Sequence, residues 1–232
     1  MAERFYKLLE NYIDAYGKYS ETQLNQFTNE IFGELGVLDE FTIIEILSNL
    51  NNRLNSNKNI ITTIDRELSS AADLMRPEKM EEICRNRRKN PGELLLEYNN
   101  YCIERNNTKT NITKIVDILN SMIYHTTKKL NKKIEILSDE DKEILVSKLN
   151  DSIQKKETYI ETLELEMASR NLKLHDTEEL NRIAESNRIS VEDVKAKLNA
   201  ERRERYYECQ KEQSDISFYN EYIEKLSVSK KL

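Results

Sequence analysis

Two histidines are the residues of this sequence best suited to acid–base or metal chemistry. His125 and His175 lie in the polar stretches IYHTTKK and LKLHDTE, and the sequence contains no HExxH, CxxC, P-loop or GxGxxG motif. Metal sites inside helical bundles use Glu-x-x-His motifs, in which a glutamate precedes the histidine by three residues. Met122 and Leu172 occupy those positions here. We therefore expect both histidines to face solvent, and we expect no metal, no other cofactor and no enzymatic activity.

The three cysteines and the apolar segments bear on the cellular compartment. Cys84, Cys102 and Cys209 are odd in number and widely spaced, which argues against a disulfide framework and against a zinc site. The N-terminal segment MAERFYKLLENY lacks the apolar core of a signal peptide, and no stretch reaches the ~18 apolar residues of a membrane span. These features favour a cytoplasmic protein without a membrane partner.

The composition indicates an all-α fold with thin apolar seams. Charged residues make up 34% of the chain and hydrophobic residues 38%, below the roughly 45–50% of ordinary globular domains. All four glycines and both prolines lie at or before residue 92. Because sheets need turns rich in glycine and proline, the long remainder must be helical. We expect an N-terminal helical bundle followed by long helices that form an extended helical hairpin or coiled coil.

Three regions are expected along the chain: a compact helical region (1–90), a long helical hairpin (93–168) and a C-terminal segment with a long helix (177–232). The first boundary rests on the motif KNPGE at 89–93. Proline disfavours the helical conformation of the preceding residue, and a Pro-Gly pair fits the centre of a type II turn. We therefore expect Pro91 and Gly92 to form such a turn.

Local signals predict where shorter helices begin and end within the first region. Gly17 should end the first helix, and Pro77 should open a helix that reaches about residue 88. The stretch NRLNSNKN should end a helix near Leu54, and another helix should begin at Ile60.

An apolar seam near the coiled-coil period runs through residues 112–137. Ser138 and Ser190 are each followed three residues later by an aspartate, a pattern typical of capping boxes at helix starts. A reversal at Ser138 would make 94–137 and 139–168 an antiparallel hairpin. One continuous helix with a kink is the alternative.

The helix predicted from residue 191 to about 226 has a polar middle. Its seam register passes through Glu201, Arg205, Glu208 and Glu212. In one interpretation this part of the helix is an exposed bridge between two packed regions, as all-polar helical stretches often are. In the other, the nearby arginines meet an acidic partner in the N-terminal fifth of the chain or in another chain. The exposed bridge is the favoured interpretation.

Thin seams expose apolar stripes until a partner covers them. We therefore expect a non-catalytic scaffold or adaptor that acts through association with another helical protein or with a second copy of itself. The expected contact residues are Ile112, Leu119, Ile123, Leu130, Ile216, Tyr219, Ile223 and Leu226.

A nucleic-acid-binding accessory protein is the alternative function. Residues 178–203 predict a short helix, a tight turn and a second helix, as in a helix-turn-helix. Glu192 and Asp193 at the start of the second helix argue against insertion into a groove, because that end must face phosphates and bases. The basic cluster RNRRK also fits a helix C-terminus, where cations complement the helix dipole. The candidate nucleic-acid contacts are Arg85, Arg87, Arg88, Lys89, Arg202 and Arg203.

Overall fold

The computed structural model of the protein describes residues 2–16, 18 and 20–228. Within these ranges the chain forms eight α-helices and no strand, so the all-α prediction is confirmed. None of the described helices is both long enough and apolar enough to cross a membrane. Gly17, the expected end of the first helix, lies outside the described residues. The helices are α1 (Glu3–Ala15), α2 (Glu21–Val37), α3 (Glu40–Leu74), α4 (Pro77–Arg87), α5 (Pro91–Glu135), α6 (Asp139–His175), α7 (Thr177–Asn187) and α8 (Val191–Val228).

Both predicted capping boxes are confirmed. Ser138 Oγ accepts a hydrogen bond from the Asp141 N–H at 3.1 Å, and Ser190 Oγ accepts one from the Asp193 N–H at 3.1 Å. These caps satisfy backbone donors that have no partner within the first turn of a helix. α5 and α6 are therefore separate helices, and the prediction of one continuous kinked helix is excluded.

Pro91 and Gly92 begin α5. They do not form a type II turn, so the prediction of such a turn is wrong. Asn90 Oδ1 accepts a hydrogen bond from the Glu93 N–H at 2.9 Å, and the Asn90 N–H donates to Glu93 Oε2 at 3.1 Å. This reciprocal cap makes Asn90 the residue before the helix. Proline is well suited to the first helical position because its missing N–H would have no helical partner there.

The predicted helix end near Leu54 is also wrong, because α3 continues without a break through NRLNSNKN. Leu54 is only 6% exposed, so burial favours the helical path at this point. Asn57 satisfies its side-chain amide within the helix by donating from Nδ2 to Arg53 O at 2.8 Å. Neither glycine nor proline occurs in this stretch, so no backbone constraint opposes the helix.

The chain forms two compact units. Unit 1 comprises residues 1–38 and 49–129, and unit 2 comprises residues 39–48 and 130–232. α3 and α5 contribute residues to both units, so each unit combines segments that are distant in sequence. The three expected regions follow the order of the chain, and this division does not test their boundaries.

Unit 1 has an apolar core to which α1, α2, α3 and α5 all contribute. α1 packs against α2, and an ion pair joins α1 to α3, because Arg53 Nη1 lies 2.5 Å from Glu10 Oε1. α3 and α5 are joined by an ion pair in which Lys109 Nζ lies 2.5 Å from Asp65 Oδ1. The fully buried side chains of unit 1 include Phe5, Leu9, Ile31, Leu35, Leu50, Leu119 and Met122.

Unit 2 is organised around α6 and α8, which pack against each other in antiparallel orientation. Arg170, near the end of α6, meets Glu201, near the start of α8, with Nε and Oε2 3.2 Å apart. In the middle of both helices Lys156 Nζ lies 2.5 Å from Glu212 Oε2. The buried side chains of this helix pair include Leu145, Leu149, Ile153 and Leu163 of α6 and Cys209, Tyr219, Tyr222 and Leu226 of α8.

α7 packs on the first turns of α8 through a small apolar cluster. Leu180, Ala184 and Val194 are buried there. Between the two helices Arg188 adopts the left-handed conformation, with φ 55° and ψ 44°. The Ile189 N–H then donates to Ala184 O at 3.1 Å, which closes the end of α7. The predicted sequence of short helix, tight turn and second helix is thus present.

Replacing Arg188 with glycine should stabilise the protein by about 1 kcal/mol, because the left-handed conformation strains a residue that carries a Cβ. Arg188→Ala is the matched control, since it removes the same charge but keeps the Cβ. Urea denaturation followed by circular dichroism would measure both free energies of unfolding. Equal effects of the two substitutions would contradict backbone strain as the cause.

Candidate functional site

A group of polar side chains lies buried between α6, α8 and the start of α3. Lys156 Nζ lies 2.8 Å from Asp215 Oδ2 and 2.5 Å from Glu212 Oε2. Ser48 Oγ donates to Asp215 Oδ1 at 2.5 Å. Ser48 is 2% exposed and Asp215 6%. We call these four residues the charged layer.

The electrostatics of the charged layer keep Lys156 ionised. Desolvation alone lowers the pKa of Lys156, but its hydrogen bonds with Asp215 and Glu212 outweigh this effect, and the pKa lies above its ordinary value. The Lys156 ammonium also lies 5.8 Å from the centre of the Tyr219 ring, and burial raises the pKa of Tyr219 to about 12. Lys156 therefore stays charged and Tyr219 stays neutral at neutral pH.

This arrangement suits a structural role better than a catalytic one. A substrate would have no access to a Ser48 hydroxyl that is 2% exposed and bonded to a carboxylate. Neither Lys156 nor Tyr219 is tuned to exchange a proton near pH 7, as a general acid or base would need to be. A buried charge that is fully paired can instead specify which residues of two helices face each other.

The polar middle of α8 belongs to the same antiparallel contact. Arg205 Nε lies 2.9 Å from Glu166 Oε2 of α6, and Arg205 Nη1 lies 2.8 Å from Glu208 Oε2. Glu201 pairs with Arg170 of α6. All of these side chains are half-buried. The interpretation of an exposed bridge is therefore wrong, because the charges of α8 are paired with α6 in the same chain.

The eight expected contact residues lie within the fold to different degrees. Leu119, Leu130, Tyr219 and Leu226 are buried, and the four isoleucines of the set are half-buried. Their apolar surface is thus covered to a large extent by the chain itself. An aspartate at Leu119 would disturb the core of unit 1 before it disturbed any association. Contact of the set with a separate partner stays a prediction.

The candidate nucleic-acid contacts form two groups in different units. Within residues 85–89 of unit 1 the three arginines are exposed and Lys89 is half-buried. This group ends α4, where cations complement the helix dipole, as expected. In unit 2, Arg203 is exposed, whereas Arg202 is half-buried and donates from Nη1 to Asn171 Oδ1 at 3.0 Å.

The helix-turn-helix-like pair of α7 and α8 carries acidic groups at a position where DNA-binding proteins need hydrogen-bond donors. Glu192 and Asp193 are both exposed in the first turn of α8. Asp193 Oδ2 accepts a hydrogen bond from Ser190 Oγ at 2.7 Å, so its position is set by the capping box. The backbone geometry of the motif is thus present. The negative charge at the start of α8 disfavours contact of that end with phosphates.

Two pairs of large apolar side chains are exposed at seven-residue spacing, which places the members of each pair on one face of a helix. Leu165 and Leu172 of α6 are 73% and 74% exposed. Leu96 and Ile103 of α5, in unit 1, are 61% and 60% exposed. The residues between them on the same faces are also exposed. We call the first set the α6 face (Leu165, Ala168, Ser169 and Leu172) and the second the α5 face (Leu96, Asn99, Asn100 and Ile103).

Neither face was predicted from the sequence. The stretch LELEMASRNL also carries a buried stripe, which includes Leu163 at 1% exposure. Leu165 and Leu172 form a second stripe with its own helical spacing, which was the available signal. Periodicity alone does not say which of two stripes on a helix is buried.

An open cleft of about 700 Å³ adjoins the α6 face where α6 gives way to α7. The two histidines are exposed, as expected, and His175 belongs to the rim of this cleft. Among the described residues, no group of three His, Cys, Asp or Glu side chains is arranged to hold a metal ion. The residues that line the cleft are Ser169, Leu172, Lys173, His175, Asp176, Thr177, Glu178 and Glu179.

Comparisons with protein families, with curated proteins and with solved structures found no match to this chain. A function is therefore inferred from the chain's own surfaces. Of these, the charged layer is internal, whereas the α5 face and the α6 face are open to solvent.

Substituting Lys156 with methionine should destabilise the protein by roughly 3–5 kcal/mol, because Asp215 would be left buried without its counter-charge. Arg182→Met is the matched control, since it removes an exposed cation from its pair with the half-buried Glu179, and we expect a loss of at most about 1 kcal/mol from it. Chemical denaturation of both variants measures the difference.

A compensated variant tests the same cause. Replacing Lys156, Glu212 and Asp215 together with apolar residues of similar size should recover most of the stability that Lys156→Met alone loses, because no buried charge then remains unpaired. A compensated variant as unstable as the single variant would show that the loss comes from packing and not from charge.

Proposed function

We propose that the chain is a non-catalytic scaffold or adaptor that acts through protein–protein association. The observation that supports this most directly is the pair of exposed apolar faces. Each carries two large apolar side chains that are at least 60% exposed and seven residues apart. A partner helix that docks in parallel or antiparallel orientation contacts residues at this spacing.

The repetition of the pattern favours a binding role over chance exposure. Single exposed apolar residues are ordinary on protein surfaces and need no explanation. Two such residues on one helical face form a continuous stripe, and here one stripe occurs in each compact unit. Two separate stripes give the chain two attachment points, as joining two partners requires.

The partners that fit these faces are amphipathic helices of other proteins or of a second copy. Full burial of one leucine or isoleucine contributes roughly 1.5–3 kcal/mol, so two per face support association of modest strength. The three cysteines are free thiols in the structure, which supports the cytoplasm as the location in this proposal. Polar contacts around each stripe would decide which helix binds.

Two double variants test the proposal by separating the faces. Leu165→Asp with Leu172→Asp should remove one set of partners in cross-linking experiments, and Leu96→Asp with Ile103→Asp should remove another. Both variants should keep the thermal stability of the wild type, because the altered side chains are exposed. Cross-linked products from cell extract, quantified by mass spectrometry, are the measurement.

Ile136→Asp is the control for an exposed apolar residue outside both faces. Ile136 is 84% exposed, and Lys129 and Glu143 stand seven residues before and after it. We expect this variant to cross-link as the wild type does. Double variants that lose no more products than Ile136→Asp would contradict the proposal.

A nucleic-acid-binding accessory role is the second candidate. The observation that favours it is the compact α7–α8 pair, followed by the exposed Arg203, together with the three exposed arginines at 85–88. The acids at the start of α8 weigh against it. In this role the arginines would contact phosphates, and binding would be independent of the base sequence of the nucleic acid.

Salt dependence distinguishes the second candidate from the first. For three phosphate contacts, the affinity for a short duplex should fall roughly 10- to 100-fold between about 50 and 200 mM salt. Arg85→Glu, Arg87→Glu and Arg88→Glu together should abolish that binding. Fluorescence anisotropy of a labelled duplex is the measurement. If the wild type does not bind the duplex at low salt, the nucleic-acid role is contradicted and protein association is the proposal that remains.

A further inference from the structure

The helices α3, α4 and α5 follow the same plan as α6, α7 and α8. In each set a long helix is followed by an 11-residue helix and then by another long helix. α4 and α7 begin 100 residues apart and end 100 residues apart. The long helices are antiparallel in the first set as well, because Glu67 meets Arg105 whereas Asp65 meets Lys109. We call the two sets the first hairpin and the second hairpin.

The turn after the short helix is the same in both hairpins. Arg88 closes α4 with φ 52° and ψ 40°, and Arg188 closes α7 with φ 55° and ψ 44°. The N–H of the following residue donates to the carbonyl oxygen five residues earlier, at 3.1 Å in both hairpins. Because residues other than glycine seldom adopt this left-handed conformation, its occurrence at an arginine in both places is a shared feature.

The next long helix also begins in the same way in both hairpins. Asn90 and Glu93 form a reciprocal cap at the start of α5, with distances of 2.9 and 3.1 Å. Ser190 and Asp193 form a reciprocal cap at the start of α8, with distances of 3.1 and 3.3 Å. The common plan therefore extends from the short helix through the turn into the second long helix.

The long helices of the two hairpins pair in the same register. Arg105 Nε of α5 lies 3.2 Å from Glu67 Oε2 of α3, and Arg205 Nε of α8 lies 2.9 Å from Glu166 Oε2 of α6. The arginines are 100 residues apart and the glutamates 99, because the second hairpin has one more residue between its glutamate and its short helix. The same atoms of the same residue types thus join the long helices at the same place.

A layer of charge distinguishes the two hairpins. The second hairpin carries the three ionised residues of the charged layer, whereas the corresponding positions of the first hairpin hold uncharged, half-buried residues. With the same offsets of 99 residues in the first long helix and 100 in the second, Lys156 corresponds to Asn57, Glu212 to Ile112 and Asp215 to Ile115. We call these residues of the first hairpin the uncharged layer.

We infer that the chain contains two copies of one helical hairpin, and that the two layers keep each long helix paired within its own copy. A shared register would otherwise allow α5 to pack against α6, and α8 against α3. In the first exchange Lys156 would face two isoleucines, and in the second Glu212 and Asp215 would face Asn57. Both exchanges leave enclosed charges without a counter-charge, which is costly, so the native pairing is favoured.

Charges introduced into the uncharged layer test whether the two layers are equivalent. Asn57→Lys alone should lower the melting temperature of the full chain by roughly 5–10 °C, because the ammonium then faces isoleucines. Asn57→Lys with Ile112→Glu and Ile115→Asp rebuilds the charged layer in the first hairpin and should recover most of that loss. Differential scanning calorimetry measures the melting temperatures.

The matched control places the same charges outside the layer. Asn57→Lys with Asn111→Glu and Thr113→Asp adds one cation and two anions, but both anions stand at exposed positions of α5. This variant should stay as unstable as Asn57→Lys alone. A control that recovers as much stability as the rebuilt layer, or a rebuilt layer no more stable than Asn57→Lys, would show that the registers are not equivalent and overturn the inference.

A second set of variants tests whether the difference between the layers governs pairing. The rebuilt layer makes both copies charged. Lys156→Asn, Glu212→Ile and Asp215→Ile make both copies uncharged, with Ser48→Ala added because Ser48 loses its acceptor. With like layers, exchange between chains is no longer penalised, so both variants should form exchanged dimers when they refold from urea. Size-exclusion chromatography after dilution identifies these dimers, since exchanged helices separate only on unfolding.

The decisive variant combines all of these substitutions, which places the charged layer in the first hairpin and the uncharged layer in the second. Its two layers differ again, so it should refold without exchanged dimers, as the wild type should. If it forms as many persistent dimers as the variants with like layers, or if those variants form no more than the wild type, the layers do not govern pairing and the inference is wrong.

Discussion

The largely enclosed ammonium group of Lys156 constrains how α6 and α8 align in unit 2. It must meet both Asp215 and Glu212, because a buried charge without partners is costly. Sliding α8 by one heptad in one direction would place Tyr222 and Tyr219 at those positions, and sliding it the other way would place Glu208 and Arg205 there. Only the observed register gives Lys156 two carboxylates, and Ser48 attaches the start of α3 to that of Asp215.

The charges along α8 extend this constraint toward its N-terminus. Arg205 meets Glu166, and Glu201 meets Arg170, so α6 supplies a counter-charge at successive turns. Half-buried pairs of this kind contribute little stability each, but they disfavour other alignments of the two helices. The seam is thereby closed within one chain. In the proposed role, association with a partner would depend on the outer surfaces of the helices and not on the seam.

Local rules of helix formation account for what the sequence could predict. The capping boxes at Ser138 and Ser190, the helix that begins at Pro77 and the all-α class follow from residues close together in sequence. The failures have nonlocal causes. Burial of Leu54 keeps α3 helical through a polar stretch, and the acids and arginines of α8 find their partners in α6, more than 30 residues away.

The two stripes of α6 show why the candidate site was harder to predict than the fold. Leu149 and Leu163 on the inner stripe are at most 1% exposed, whereas Leu165 and Leu172 on the outer stripe are more than 70% exposed. Both stripes have helical spacing, so only packing distinguishes them. The inner leucines stabilise unit 2, whereas the outer ones, mostly open to solvent, contribute little to folding. In the proposed role, a substitution on the outer stripe would change association without changing folding. A substitution at the buried Leu119 or Tyr219 would change folding as well.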